Sequence, residues 1–364
     1  MKGYDNLSVR LDKLRLAMKE SGFDAVWVSS RENHLYLSGF DNPDGSLLIT
    51  EDCAFAFEDF RYIEAAKRQI SAEDFQVIMP TGKRRSWLPE LLEADMVSLL
   101  AFEDAHMTCR DRDALESDCR GICSLAPSGE LFSGLRIIKD ENEVALIRKA
   151  QRIAEISFEQ LLPEINGNCT ETYLAALLEF LMKKNGSEGI SFDTIAVSGK
   201  ASSSPHGVPR DVKLEKGFLT FDFGAVCGGY RSDMTRTVCI GKPTPEMKKV
   251  YDTVLQAQTA VLEVIGDSAS CYKMDSIARN IIDRAGYPGT FGHSLGHGVG
   301  LYIHELPNLS PSSGDRRLDP GNIVTVEPGI YIQGKYGCRI EDMVHITPGG
   351  AENLTAFSKD LIIL

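Results

Sequence analysis

The chain has 364 residues, which is long for one domain and comfortable for two. Hydrophobic residues make up 43% and charged residues 25%, values typical of globular proteins that exclude wholesale disorder, collagen-like chains and disulfide-stapled miniproteins. The formal net charge of -13 repels phosphate backbones, so we expect no nucleic-acid partner.

The first part of the chain alternates helix and strand patterns, which predicts an α/β domain. The predicted elements are a helix with Leu7, Leu11, Leu14 and Met18 on one face and Gly22 at its end, a strand at Ala25–Val28, a hairpin of Ser46–Thr50 and Ala54–Phe57, and a helix at Arg61–Gln69. The turn-rich run 126–129 is the linker candidate. We therefore place one domain at 1–128 and a second at 135–364.

The second part of the chain has the order helix, helix, strands, helix, helix, strands. The predicted helices begin at Asp140 with a capping box, begin at Thr170, and cover Pro245–Ile265 and Met274–Ala285; the predicted strands are Phe218–Gly224, Met234–Ile240, Ile323–Glu327 and Arg339–Ile346. This order predicts an α+β domain built from two similar halves, although no residue-level repeat is visible.

The cysteines and the N-terminal sequence indicate a reducing compartment. The nine cysteines are odd in number, dispersed and without a C-x-x-C motif, so free thiols are favoured over a disulfide framework. Cys119 and Cys123 form a C-x3-C pair with no histidine nearby, and we interpret them as structural thiols. Residues 1–20 lack the apolar core of a signal peptide, and no apolar run approaches the ~20 residues that span a bilayer. We expect a cytoplasmic protein with no membrane partner.

Two aspartates occupy unusual positions in predicted strands. Asp222 lies among Leu219, Phe221 and Phe223, where a carboxylate must be paired or ligated to be tolerated. Asp233 follows eleven positions later, and the turn 227–230 between them predicts a hairpin across which the two carboxylates face each other.

Histidines and glutamates supply the remaining candidate ligands. The run from His293 to Glu305 contains three of the chain's seven histidines, and glycines flank His297, which permits close approach of the backbone to a bound group. Glu327 and Glu341 each lie in a predicted strand, and Arg339 shares a sheet face with Glu341 because it is two residues away.

Four carboxylates and one imidazole form an oxygen-rich set of ligands. Such a set favours hard or borderline divalent ions such as Mn, Fe(II) or Co over a thiolate zinc site. Four carboxylates exceed the need of one ion, and two ions bridged by shared carboxylates would balance the charge. Two-metal sites activate water and polarise a carbonyl group, which is the chemistry of aminopeptidases.

Two other hydrolase motifs are present only in part. Residues 292–296 fit the G-x-S-x-G motif of serine hydrolases, but the residues after Ser294 do not form a helical pattern, as that motif requires. His304 and Glu305 do not begin an H-E-x-x-H motif, because Asn308 occupies the second histidine position. The sequence therefore disfavours a serine hydrolase and a zincin.

Together these stretches resemble the pita-bread metallopeptidases, the family of methionine aminopeptidase, aminopeptidase P, prolidase and the metal-free creatinase. The run from His293 to Glu305 is similar to the proline-peptidase signature, and the resemblance covers nearly the whole chain. It implies five metal ligands, namely Asp222, Asp233, His297, Glu327 and Glu341. It also implies that Asp233 and Glu341 bridge two ions, with Mn or Co favoured and Fe or Zn as alternatives.

The resemblance further implies catalytic candidates around the ligands, namely His206, His293, His304, Glu327 and Arg339. His206 resembles a histidine on the substrate side, and His304 resembles the proton-transfer partner of the site. Arg339 resembles an arginine that supports Glu341 or the substrate. His34, His106 and His345 are interpreted as structural or surface histidines.

Asp59-Phe60-Arg61-Tyr62 resembles a motif of the creatinase-type N-terminal domain, which methionine aminopeptidases usually lack. The resemblance therefore implies a cytoplasmic exopeptidase that removes the residue before proline from short peptides and that forms a homodimer. A general or methionine aminopeptidase is the alternative enzyme, and a metal-free binding protein on the same fold is the alternative of another class. The pattern leaves open whether dipeptides or longer peptides are preferred.

Overall fold

The computed structural model describes residues 6–364, and its internal contacts divide the chain after Arg136. Residues 1–5 lie outside the described residues. Both the predicted first domain and the stretch searched for a signal peptide begin with them. No helix within residues 6–364 combines the length and apolar character that a membrane crossing requires.

Residues 6–136 form a mixed sheet with helices. Its helices are α1 Leu7–Ser21, α2 Arg31–Ser38, α3 Ile63–Gln69, α4 Leu88–Ala94, α5 Cys109–Asp118 and α6 Leu131–Arg136. Its strands are β1 Ala25–Val28, β2 Ser46–Thr50, β3 Ala54–Phe57, β4 Gln76–Ile78, β5 Leu99–Phe102 and β6 Ser124–Pro127. The strand order is β4-β3-β2-β1-β5-β6, with antiparallel pairs β1–β2 and β2–β3 and the other pairs parallel. The predicted α/β alternation is present.

Two details of this unit differ from the sequence prediction. Ala126 and Pro127 were predicted as linker, but they pair with Ala101 and Phe102 as the edge strand of the sheet. Helix α3 begins at Ile63 rather than at residue 61, because Asp59 accepts hydrogen bonds from the backbone and side chain of Arg61 and forms a turn there. Neither difference follows from local hydrophobic pattern.

Residues Ile137–Leu364 form two helix pairs and several antiparallel sheets. The helices are α7 Glu141–Leu161, α8 Glu171–Lys184, α9 Pro245–Leu262 and α10 Cys271–Arg284. The strands are β7 Ile195–Ser198, β8 Gly217–Phe223, β9 Val226–Cys227, β10 Tyr230–Arg231, β11 Met234–Ile240, β12 Gly296–Gly298, β13 Glu305–Leu309, β14 Ile323–Val326, β15 Gly329–Ile332, β16 Tyr336–Arg339, β17 Asp342–Thr347 and β18 Gly350–Asn353. The larger sheets are ordered β11-β8-β7 and β13-β12-β14-β17-β18, and β15–β16 and β9–β10 form two-stranded ribbons.

Each helix pair covers one half of this unit with apolar side chains. Helices α7 and α8 pack on β8 and β11 around Phe158, Phe221 and Phe223. Helices α9 and α10 pack on strands of the other half, including β14 and β17. The predicted capping box at Asp140 is confirmed, since its carboxylate accepts from the Glu143 N–H and the Glu143 carboxylate accepts from the Asp140 N–H.

The predicted single strand Arg339–Ile346 is wrong. The chain leaves β16 after Arg339, passes Ile340 and Glu341 without strand pairing, and enters β17 at Asp342. Strand β16 pairs with β15, whereas β17 pairs with β14, so the chain changes sheets at this point. Glu327 likewise lies just after β14. The two glutamates therefore lie just beyond the ends of strands, whereas the sequence predicted that they lie inside strands.

Candidate metal centre

One cavity of about 650 Å³ in the second unit collects the residues that the sequence singled out. Its walls include all nine candidates, namely His206, Asp222, Asp233, His293, His297, His304, Glu327, Arg339 and Glu341. These side chains come from both halves of the unit and are separated by up to 135 positions in the chain, so the fold rather than local sequence brings them together.

The two aspartates lie in β8 and directly before its neighbouring strand β11, in the first half of the unit. Asp222 pairs with Thr235 in the β8–β11 ladder, and Asp233 precedes β11 by one residue. The predicted turn at 227–230 is present between β9 and β10, and positive φ angles of 57° and 77° at Gly228 and Gly229 explain the glycine pair. The hairpin thus places both carboxylates at one end of the ladder.

His297 lies in the short strand β12, between two glycines. A Cβ atom at Gly296 would collide with the Thr325 backbone oxygen, and one at Gly298 would collide with the backbone of Leu306. The glycines are thus required by the close packing of neighbouring strands, and the approach of the backbone to a bound group stays a prediction. The imidazole Nδ1 lies 3.0 Å from the Gly298 oxygen; the Nδ1–H tautomer leaves Nε2 as an acceptor.

The ligand atoms lie close enough to share a cation. Potential ligand atoms of Asp233, His297 and Glu341 all lie within 4.8 Å of one another, the one such group found within residues 6–364. The His297 Nε2 atom is 3.6 Å from Asp233 Oδ2 and 3.4 Å from Glu327 Oε1. Such a cluster of acceptors requires a proton or a metal ion between them.

The remaining acceptor atoms of the cluster also fit a metal. Asp222 Oδ1 and Glu341 Oε1 are buried without a hydrogen-bond donor in the described structure. The second oxygen of each carboxylate is held: Arg339 Nη2 donates to Asp222 Oδ2 at 2.5 Å, and the Thr235 hydroxyl donates to Glu341 Oε2 at 2.7 Å. One oxygen of each group is therefore positioned by the protein and the other is available to a ligand.

The electrostatics of the cavity indicate a deficit of positive charge. Burial, with repulsion from Glu341 and Asp222, raises the pKa of Asp233 well above its ordinary value. Burial and repulsion from Glu327 likewise raise the pKa of Glu341. Burial raises the pKa of Glu327 to about 8, although the nearby Arg339 opposes this. Divalent cations would relieve this repulsion and stabilise the ionised carboxylates.

Burial lowers the pKa of two neighbouring histidines of the cavity, His297 and His304. Burial, reinforced by His304, lowers the pKa of His297 to about 4, and neutral imidazole is the form that binds metals. Burial also lowers the pKa of His304, whose ring centroid lies 4.4 Å from that of His297. His206 is exposed, lies in the loop before β8, and also lines the cavity.

Arg339 organises one wall of the cavity through a residue that the sequence analysis missed. Its guanidinium donates to the hydroxyl of Tyr331 at 2.7 Å, and this hydroxyl lies 2.9 Å from His293 Nε2. Because Arg339 can only donate, the tyrosine hydroxyl accepts from it and donates to His293. His293 Nδ1 in turn lies 2.8 Å from the Ser294 oxygen, so both ring nitrogens are engaged. This geometry suits His293 for positioning rather than for proton transfer.

The signal for Tyr331 was weak. Tyr331 lies in β15 opposite Gly337, in the ribbon whose register also pairs Gly329 with Arg339. A polar aromatic side chain two residues beyond the Glu327-Pro328-Gly329 run could have suggested a hydrogen-bonding role. Thr194, whose buried hydroxyl has no partner within the described residues, also lines the cavity without any sequence signal.

The three remaining histidines lie outside the cavity, whereas Ser294 lines it. His34 is buried in the first unit, where its Nε2 lies 3.0 Å from Glu58 Oε1, and His106 and His345 do not line the cavity. Ser294 of the G-x-S-x-G sequence precedes strand β12 rather than a helix. The geometry expected of a nucleophilic serine is therefore absent at Ser294.

The chain belongs to metallopeptidase family M24: the model of that family matches residues 145–348, and the creatinase/prolidase N-terminal domain model matches residues 10–138. This membership confirms the predicted enzyme class, a metallo-exopeptidase, and the predicted fold class, an α/β N-terminal domain followed by an α+β pita-bread domain.

Similar proteins include prolidases and a related aminopeptidase. An Xaa-Pro dipeptidase of Pyrococcus furiosus is 35% identical over 97% of this chain and 99% of its own length. The structure of an Xaa-Pro dipeptidase from Bacillus anthracis is 36% identical with a TM-score of 0.94, covering 99% of this chain and all of that one. The structure of an X-Pro aminopeptidase from Thermotoga maritima is 34% identical with a TM-score of 0.89, covering 96% of this chain and all of that one.

Proposed function

We propose that this protein hydrolyses the peptide bond before proline in short peptides and that it uses two divalent metal ions. The observation on which the proposal depends is the convergence of four carboxylates and one imidazole, from both halves of the second unit, on one cavity. The names of the similar dipeptidases and aminopeptidase supply the proline preference.

The proposed metal ligands are Asp222, Asp233, His297, Glu327 and Glu341. Asp233 and Glu341 would help to hold both ions, as the resemblance implies, and their ligand atoms lie within 4.8 Å of each other and of an imidazole nitrogen of His297. When bound, the ions would supply a strongly nucleophilic water at neutral pH and would polarise the scissile carbonyl. Mn or Co is the proposed metal, with Fe or Zn as alternatives, because oxygen ligands predominate.

Two residues of the cavity are proposed to move or hold protons. Glu327 is proposed to accept a proton from the attacking water and to return it to the leaving proline nitrogen. His304 is exposed, yet its partial desolvation lowers its pKa, so the neutral ring can donate a hydrogen bond to the oxygen on which negative charge develops. His206 is the proposed contact for the substrate on the exposed side of the cavity.

The remaining walls of the cavity suit a small apolar residue. Their apolar residues include Phe192, Ile195, Pro205, Val208, Pro209 and Ile303. A pyrrolidine ring has no N–H to satisfy and would bury only carbon atoms against such a surface. The Arg339 guanidinium, held by Asp222 and Tyr331, fixes the Pro205 carbonyl with a hydrogen bond of 3.3 Å and so positions the loop that contains His206.

Metal-dependent peptide hydrolysis tests the proposal. Chelator-stripped protein would be reconstituted with Mn or Co and compared on Ala-Pro, Ala-Pro-Ala and Met-Ala-Ala. Metal-dependent cleavage of Ala-Pro alone indicates a dipeptidase, and strong cleavage of Ala-Pro-Ala indicates an aminopeptidase. Cleavage of Met-Ala-Ala alone would replace the proline-specific proposal by a general aminopeptidase. No metal retention and no cleavage would favour the alternative, a binding protein on this fold.

The proposal includes a homodimer in the cytoplasm. All nine cysteines are free in the structure, which suits a reducing compartment. Light scattering at micromolar concentration measures the molar mass, and a value for one chain of 40.1 kDa would refute the dimer.

A further inference from the structure

An aspartate and an arginine on α10 contact the entry segment, residues 291–295, which leads into β12. Asp275 and Arg279 lie four positions apart on this helix and form a two-point ion pair, with Nε 2.9 Å from Oδ2 and Nη2 2.8 Å from Oδ1. The Asp275 side chain is 1% exposed and the Arg279 side chain 28%. Neither residue lines the cavity of the candidate metal centre, so neither is a candidate for contact with metal or substrate.

The pair makes three further hydrogen bonds, all to backbone atoms of the entry segment. Arg279 Nη1 donates to the Phe291 oxygen at 2.6 Å, and Nη2 donates to the His293 oxygen at 2.9 Å. Asp275 Oδ1 accepts from the Leu295 N–H at 3.1 Å. The entry segment is described as neither helix nor strand. Side chains of α10 therefore satisfy backbone groups that a helix or sheet would satisfy elsewhere.

The ring of Phe291 links Arg279 to the cavity a second time. The guanidinium carbon lies 4.4 Å from the centroid of this ring, which is a cation–π contact. The same ring meets the imidazole of His293 edge to face, with centroids 4.9 Å apart. Arg279 thus restrains His293, which lines the cavity, through its backbone oxygen and through the ring packed against its imidazole.

The entry segment connects three residues of the candidate metal centre. His293 lies within it, and His297 follows its last residue by two positions. The Leu295 oxygen accepts a hydrogen bond of 2.8 Å from the Glu327 N–H. Leu295 is therefore held on one side by Asp275 and on the other by the backbone of a proposed metal ligand. A shift of the segment would move an imidazole and a carboxylate of the site together.

We propose that Asp275 and Arg279 are positioning residues of the metal centre. They fix the entry segment so that His297 Nε2 and Glu327 Oε1 keep the separation of 3.4 Å at which they can share a cation. The inference rests on the proposed function, because that function makes His297 and Glu327 metal ligands. Substitution of residues that support metal ligands without binding the ion typically lowers metal affinity by about 10–100-fold.

Arg279→Lys separates the ion pair from the hold on the entry segment. Lysine keeps a cation beside the buried Asp275 carboxylate, but one ammonium group cannot reproduce the planar fork that reaches a carboxylate and two carbonyl groups. Titration calorimetry of chelator-stripped, full-length protein with Mn²⁺ measures the dissociation constant, which we expect to rise at least about tenfold. Hydrogen exchange followed by mass spectrometry measures the segment itself, and we expect it to exchange faster in the variant.

Arg84→Lys is the matched control in the first unit. Arg84 also pairs with an aspartate, 2.7 Å from Asp118, and its side chain is 25% exposed. Its guanidinium also lies over an aromatic ring, that of Trp27. We expect this variant to keep the wild-type affinity for Mn²⁺ and the wild-type exchange of the entry segment. Circular dichroism and urea unfolding establish that both variants are folded.

Two results with folded Arg279→Lys would overturn the inference. An unchanged dissociation constant for Mn²⁺ would mean that the pair supports the fold alone. Weaker binding with unchanged exchange of the entry segment would mean that the effect does not pass through this segment.

Wild-type protein gives a further test that needs no variant. A protected Leu295 amide supports the hold by Asp275, whereas exchange as fast as in urea-unfolded protein would refute it. If wild-type protein binds no Mn²⁺, the proposed function fails. The exchange of the entry segment in wild type and Arg279→Lys then decides alone whether the pair holds it.

Discussion

The ion pair between Lys139 and Glu305 offers a stringent test of the energetics of the second unit. Its Nζ–Oε2 distance is 3.0 Å, and the two side chains are only 0% and 5% exposed. Lys139→Met would keep most of the buried volume but would remove the ammonium group that lies 3.0 Å from the Glu305 carboxylate. Removing one partner from a buried ion pair destabilises a protein by about 3–5 kcal/mol. That is a large share of the roughly 5–15 kcal/mol that stabilises a typical domain.

The chain offers a matched control for this substitution. Arg148 and Glu352 form an ion pair at 2.5 Å whose side chains are each 46% exposed. Because solvent screens such a pair, Arg148→Met should change stability by less than about 1 kcal/mol. Urea unfolding followed by circular dichroism measures both variants. Equal urea midpoints for Lys139→Met and Arg148→Met would refute the reasoning, because burial would then not determine how much each ion pair contributes to the free energy of unfolding.

The same substitution should also affect catalysis. Glu305 directly follows His304, and its Oε1 accepts a hydrogen bond of 3.2 Å from the Tyr302 N–H. Lys139 therefore fixes the end of the loop from which His304 projects. We expect Lys139→Met to lower kcat by about tenfold, equivalent to about 1.4 kcal/mol, while the bound metal is retained. Metal loss in this variant would show that the ion pair supports the ligands rather than His304.

Three further predictions concern the cavity and α8. Tyr331→Phe removes the hydroxyl between Arg339 and His293, and we expect steady-state kcat to fall by about tenfold with KM less affected. Glu341→Ala should lose bound metal, whereas His304→Ala should retain it and turn over more slowly; elemental analysis and peptide assays separate the two. Burial of Glu171 raises its pKa, but hydrogen bonds from Arg210 and Ser198 outweigh this effect, so the pKa is lowered overall. The ionised Glu171 therefore stabilises the fold fully at pH values above 4.5, the ordinary pKa of a glutamate. This stabilisation is lost as the pH falls through the lower pKa of the folded state, and Glu171→Gln should weaken the acid dependence of the urea midpoint.

Each of these predictions has a contradicting result. Unchanged kcat in Tyr331→Phe would show that the hydrogen bond to His293 does not position it for catalysis. Full metal content and activity in Glu341→Ala would remove that residue from the ligand set. Parallel curves of urea midpoint against pH for wild type and Glu171→Gln would show that the ion pair with Arg210 does not contribute to the acid sensitivity of the fold.

Features that depend on neighbouring residues could be predicted from the sequence. The capping box at Asp140 requires only residues within one helical turn, and it is present with both hydrogen bonds. The turn at 227–230 follows from its two glycines. The five potential ligands could be named because a carboxylate within an apolar run or a histidine between glycines is visible without a structure. Their convergence on one cavity agrees with that selection.

Features that depend on sheet membership could not be predicted. The break between β16 and β17 at Ile340–Glu341 arises because the two strands pair with different partners, and hydrophobic alternation continues across the break. Ala126 and Pro127 have turn-forming neighbours, but parallel pairing with β5 recruits them into the sheet. Tyr331 was missed because its role depends on Arg339 and His293, which lie at opposite sides of it in the sequence.

Strand β11 joins the two halves of the second unit through side chains in succession. The Thr235 hydroxyl donates to Glu341, the Arg236 guanidinium donates to Asp342, and the Thr237 hydroxyl donates to the Arg339 oxygen. A cut in the loop 241–244 would leave two of the proposed ligands on one fragment and three on the other. Neither fragment could bind metal as the intact chain is proposed to do. Reassembly of such fragments should consequently become tighter when metal is added, which makes the ion a cofactor of assembly as well as of hydrolysis.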